Sequence, residues 1–81
     1  MSEEKLKDLV EFMVKSLVDN PEQVEVTVQG EETMDFRLKV AKEDTGKVIG
    51  KGGNTANSMR TILKAAASKL NVRRAVLNID E

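Results

Sequence analysis

The chain has 81 residues, no cysteine and no histidine, and a formal net charge of −1. That length suits a single domain spanning 1–81, with roughly 60% of the unfolded surface buried on folding. The two missing residue types exclude disulfides, thiolate metal sites and the commonest general base. No acidic cluster has the spacing of a calcium loop, so no metal or cofactor is implied. The opening Met1-Ser2-Glu3-Glu4-Lys5 is charged, and no apolar run approaches the ~20 residues of a membrane span. The composition therefore reads as cytoplasmic.

Charge is unevenly placed. Residues 1–41 carry a net −5, residues 42–79 a net +6, and Asp80 and Glu81 close the chain. A basic half of this kind is the electrostatic footprint of a polyanion-facing surface, although a solvated mixed-charge surface would look the same on charge alone.

The elements follow in chain order. Leu6, Leu9, Val10, Met13 and Leu17 recur at three- and four-residue steps, which predicts an amphipathic helix capped by Ser2 and stopped at Asp19-Asn20-Pro21. Phe12 on this helix reads as a core residue. Val24, Val26 and Val28 then alternate with polar residues, as do Met34, Phe36, Leu38 and Val40. Period-two alternation predicts two strands with one buried face, joined as a hairpin through Gly30-Glu31-Glu32. A short helical segment spans Lys42 to Ile49, entered through Glu43 and Asp44. A glycine cluster interrupts the chain, and a longer helix starts near Asn54. Met59, Ile62, Leu63, Ala66 and Leu70 form its apolar stripe, and Asn57, Arg60, Thr61, Lys64 and Ser68 its polar one. Asn71 is the expected stop. A last strand covers Val72 to Ile79, with Ala75, Leu77 and Ile79 on one face. Three helices against one face of a three-stranded sheet make an α+β layer architecture.

The informative stretch is Gly46-Lys47-Val48-Ile49-Gly50-Lys51-Gly52-Gly53-Asn54. A tight turn between helices needs positive φ angles, and the unpaired amides opening the next helix form an anion site. Lys47 and Lys51 add positive charge beside those amides, so the stretch reads as a phosphate-backbone clamp. A P-loop is excluded. Only three residues separate Gly46 from Gly50-Lys51, Gly52 follows the lysine, and no strand precedes. A dinucleotide fingerprint fails on glycine spacing and on the lack of a βαβ unit. A plain helix–turn–helix corner would need fewer glycines and no lysines.

Val48-Ile49-Gly50-Lys51-Gly52-Gly53, between a short and a long helix, resembles the signature of KH domains, whose G-x-x-G loop clamps about four nucleotides. The order helix, strand, strand, helix, helix, strand is similar to the prokaryotic type II arrangement. Over nearly its whole length the chain resembles the small stand-alone bacterial KH proteins of the KhpA type. The resemblance implies a non-catalytic protein that grips short single-stranded RNA, as an RNA chaperone or post-transcriptional regulator. It implies that Gly50, Lys51, Gly52 and Gly53 face the sugar-phosphate backbone. Ile49 and Ala56 would floor a base-receiving groove, and Asn57, Arg60 or Lys64 would reach the ligand if their stripe faces it. It further implies self-association, pairing with a larger KH-domain protein, and a link to cell shape. With only Phe12 and Phe36 as aromatics, the chain lacks the stacking platforms of other RNA modules. A rival reading is a dimerisation module that buries an exposed Val48–Ile49 corner in a partner.

Overall fold

The computed structural model describes residues 2–30 and 33–81. Helix α1 spans Ser2–Lys15, with Glu3 and Glu4 in its first turn and Lys15 in its last, which complements the helix dipole at both ends. Ser2, expected as the cap, is instead the first residue of the helix. The buried line of α1 is Leu6, Val10 and Val14, a strict four-residue repeat. Phe12 does not join the core as expected. It is 72% exposed, because it sits two residues from Val10 and from Val14 and so projects from the opposite side of the helix. Leu17 is also displaced: the helix ends at Lys15 rather than at 19–21, and Leu17 falls in the following turn, 41% exposed. Pro21–Gln23 forms a separate 3-10 turn.

Strands β1 (Glu25–Gln29) and β2 (Thr33–Lys39) pair antiparallel, with Val26 opposite Leu38 and Val28 opposite Phe36. This is the expected hairpin pairing; Glu31 and Glu32 of its connection lie outside the described residues. Burial alternates without exception along β2, so only one sheet face is covered. Strand β3 (Arg74–Ile79) joins parallel to β2, giving the sheet order β1-β2-β3. It starts two residues later than its apolar pattern indicated.

Between β2 and β3 the chain makes a 3-10 turn at Lys42–Asp44, helix α2 (Thr45–Ile49), a tight loop, and helix α3 (Asn54–Lys69). Helices α1 and α3 pack against each other, α1 over β1 and α3 over β3. Phe36, Leu38, Leu63, Leu77, Val10 and Val48 lie at the centre of the resulting core. Ala56, Met59, Leu63 and Ala67 form the buried line of α3, whereas Ile62, placed in the stripe by sequence, is 49% exposed at its margin. Val48 is fully buried, so the expected exposed Val48–Ile49 corner does not exist; only Ile49 is partly accessible.

The end of α3 carries out the stop assigned to Asn71. Asn71 is left-handed (φ 62°), its N–H donates to the Ser68 carbonyl at 3.1 Å, and the Val72 N–H donates to the Ala67 carbonyl at 2.8 Å. These two bonds satisfy carbonyls that a helix end otherwise leaves open. They turn the chain back so that β3 runs alongside α3. Among the described residues, no helix is long and apolar enough to cross a membrane.

Candidate nucleic-acid interface

The loop between α2 and α3 is built from backbone. Gly50 ends α2 at φ 77° and ψ 170°, and its carbonyl accepts the Gly53 N–H at 3.1 Å. Gly52 and Gly53 are both left-handed, at φ 64° and 79°. Gly50 is demanded twice over. Its φ is one that side chains resist, and a Cβ there would collide with the Thr55 side chain and approach its backbone nitrogen to 2.8 Å. At Gly52 the surroundings are different: a Cβ would meet nothing within 4 Å. The loop is thus closed on its inner side by Thr55 and open at its tip, where Lys51 is exposed. No side chain caps the N-terminus of α3, which leaves the positive end of the helix facing the loop.

A buried carboxylate holds this loop in place. Asp44 is fully buried, yet it does not cap its own helix. Its two oxygens accept the backbone N–H groups of Asp19 (3.3 Å) and Asn20 (3.0 Å), and the Asn20 side-chain amide at 3.0 Å. Lys47 Nζ lies 3.1 Å from Asp19 Oδ2 and 3.6 Å from Asp44 Oδ1. Burial alone would push the Asp44 carboxyl up, but the three hydrogen bonds and the Lys47 charge outweigh it and hold the group below its ordinary range. Lys47 is pushed above its ordinary value, chiefly by its hydrogen-bonded pairing with Asp19. The segment after α1 is thereby stapled to α2, one turn before Gly50. Asp44 was read from sequence only as a helix-entry residue. Its hydrogen-bond donors, Asn20 and Asp19, lie 24 and 25 residues away, and no local pattern signals them.

The sequence-derived residues take different places around this loop. Gly50, Lys51, Gly52, Gly53 and Asn54 form the loop and the first residue of α3, with Ile49 half-buried at the end of α2. Ala56 is buried beneath α3. Asn57 and Arg60 form a polar line leading away from the loop. A Cβ on Gly53 would stand 3.8 Å from Asn57 Nδ2, and Arg60 donates to Asn57 Oδ1 at 3.0 Å and to the Leu77 carbonyl of β3 at 3.1 Å. Arg60 therefore ties α3 to the sheet as well as facing the groove beside it. Lys47 belongs to the staple, with its ammonium engaged by two carboxylates.

A glycine loop between a short and a long helix, over a three-stranded sheet in the order α-β-β-α-α-β, defines a KH domain of the type II arrangement. The family model described as KhpA/KhpB, KH domain, matches residues 7–79, and the chain belongs to that family. It is a non-catalytic family, and the chain is not an enzyme. The chain is 54% identical over 72 residues to the RNA-binding protein KhpA of Clostridium perfringens, covering 88% of this chain and 96% of that protein. It is 48% identical over 77 residues to the KhpA of Aquifex aeolicus, covering 94% and 96%. With the KhpA of Chlamydia pneumoniae it shares 43% identity over 77 residues, covering 94% and 99%. No solved structure matches the chain.

Proposed function

We propose that the protein binds single-stranded RNA in the cytoplasm, with the sugar-phosphate backbone lying across Gly50-Lys51-Gly52-Gly53 and the bases turned toward Ile49, Asn57 and Arg60. The observation that carries this reading is the loop itself. Its inner side is sealed by Thr55, its tip is open at Gly52, and it fronts an uncapped helix N-terminus beside an exposed lysine. Phosphate oxygens are the ligand that such a surface favours. The relatives named as RNA-binding proteins support the same choice. The function is that of an RNA chaperone or post-transcriptional regulator working with a larger KH-domain partner.

The test uses the chain's own optics. With no Trp, Tyr or Cys and only two Phe, it absorbs little in the near ultraviolet. Tag-free protein prepared at low salt should carry an added 260 nm band that ribonuclease or a high-salt wash removes. A spectroscopically clean low-salt preparation that also fails to bind added single-stranded RNA would contradict the reading.

Self-association is a second reading, favoured by a specific observation. Phe12, Leu17 and Ile62 are large apolar side chains left exposed on α1, in the turn after it, and on α3. Exposed apolar surface on a small domain is a natural contact for a second copy or for a related KH partner.

A further inference from the structure

Helix α2 cannot hold the glycine loop by itself. It has five residues, one of them Gly46, far below the ~12–15 at which an isolated helix becomes marginally stable. The loop it leads into contains three glycines of positive φ, Gly50, Gly52 and Gly53, and glycine has the most backbone freedom to lose. A clamp whose amides must meet phosphate oxygens therefore has to be fixed from outside. We propose that Asp44 and Asn20 are positioning residues for RNA: without touching the strand, they hold the loop in its binding-competent conformation and so set its affinity. The proposal rests on the RNA-binding reading of the loop and adds a determinant that lies outside it.

Three observations carry it. The first is the way α2 is anchored. Val48 supplies one point of attachment, in the core, and the fully buried Asp44 at the head of the helix supplies another. The second is the firmness of what Asp44 holds. Asp19 and Asn20 lie between Val18, which packs against the core, and Pro21, whose ring fixes φ at the start of the 3-10 turn Pro21–Gln23. The Gln23 N–H closes that turn onto the Asn20 carbonyl at 3.0 Å. The loop is thus referred to a fixed segment. The third is the use made of the carboxylate. An aspartate at the head of a helix ordinarily caps it, but both Asp44 oxygens face the Asp19–Asn20 segment instead. The sign of the effect separates position from charge. Removing a negative charge near an anion site strengthens anion binding by Coulomb's law, whereas loosening the loop weakens it.

The test titrates fluorescein-labelled octauridylate by anisotropy across a salt series, well below the melting temperature of every variant. Asn20→Ala is the principal variant, because it changes no charge and lies outside the loop. Asp44→Asn, Val26→Ala and Lys51→Gln accompany it. If the untied loop is binding-competent for ~10–30% of the time, Asn20→Ala and Asp44→Asn should each lose about threefold to tenfold in affinity. The salt slope of Asn20→Ala should stay at the wild-type value, because the bound loop meets the same phosphates, whereas Lys51→Gln should reduce it by ~0.7. Val26→Ala truncates a core residue of β1; it should lower the melting temperature and leave affinity unchanged. Wild-type affinity in Asn20→Ala would overturn the proposal and leave the loop reading intact. An equal affinity loss in Val26→Ala would overturn it too, since binding would then merely follow stability. So would tighter binding by Asp44→Asn, which would mark a charge effect. An Asn20→Ala slope lowered like that of Lys51→Gln would put Asn20 on the strand and end its positioning role. Failure of the wild type to bind would remove the loop reading, and this proposal with it.

Discussion

Two glycines of the loop region illustrate how differently the same residue type can be used. Gly46 lies inside α2 with ordinary helical geometry, and a Cβ there would touch nothing within 4 Å. Gly50 is left-handed and packed against Thr55. Gly46→Ala should therefore stabilise the domain by about 0.5–1 kcal/mol, because it removes freedom only from the unfolded chain. Gly50→Ala should destabilise it by about 1–3 kcal/mol, from the disfavoured φ and the contact with the Thr55 backbone. Thermal melts check both: a rise of several degrees for the first and a fall on the order of 10 °C for the second. The motif was plain in the sequence. What the sequence could not assign was which glycine is required for geometry and which for access, since that depends on where Thr55 and open solvent lie.

At the scale of elements, the staple under α2 governs how the loop is presented. Asp44 has a depressed pKa in the folded state, so its contribution to stability is present above the unfolded value of 3.8 and is lost as pH falls through the lower folded value. The Lys47 pairing has the opposite sign. Its pKa is raised, so its contribution is present below 10.5 and is lost as pH rises through the folded value. Asp44→Asn removes the charge and turns amide hydrogens toward amide donors. We expect it to lower the melting temperature at neutral pH and to remove part of the acid-side decline below pH 3.8 that the wild type shows; parallel melts from pH 2 to 8 measure this.

Strand positions were legible because a period of two needs only local alternation, and β2 keeps it at every residue. The end of α1 was misplaced. The proline at position 21 is a strong local stop signal, but the segment ahead of it had already left the helix, and the Asp19 and Asn20 amides bond to Asp44. Phe12 was misjudged on hydrophobicity. Its angular position, two residues from Val10 and Val14, already pointed away from the buried line.

For the molecule as a whole, the sequence is acidic on balance, yet its cations concentrate in the half that forms the loop, α3 and β3. Binding through that half should be strongly salt-dependent despite the net charge of −1. With three or four phosphates neutralised at the loop, affinity for a short single strand should fall roughly twentyfold to fiftyfold between about 50 and 200 mM salt. A flat salt response would argue against phosphate contacts. The exposed apolar residues make a separate expectation about assembly. Sedimentation should show wild-type self-association that Phe12→Ser combined with Ile62→Ser reverses, with little loss of thermal stability because neither side chain is in the core. A wild-type chain that stays monomeric at high micromolar concentration would leave that surface without a role in homodimerisation.

The claim on which the rest depends is that the loop clamps phosphate, and the double variant Lys51→Asp with Gly52→Asp tests it most directly. Gly52 has open space around it, and aspartate is among the side chains that tolerate its left-handed backbone, so the fold should survive with an unchanged circular dichroism spectrum. Two negative charges would then stand where phosphates are expected to lie. Affinity for single-stranded RNA should fall by more than about tenfold, equivalent to ~1.4 kcal/mol. A folded double variant that binds RNA as tightly as the wild type would contradict the account.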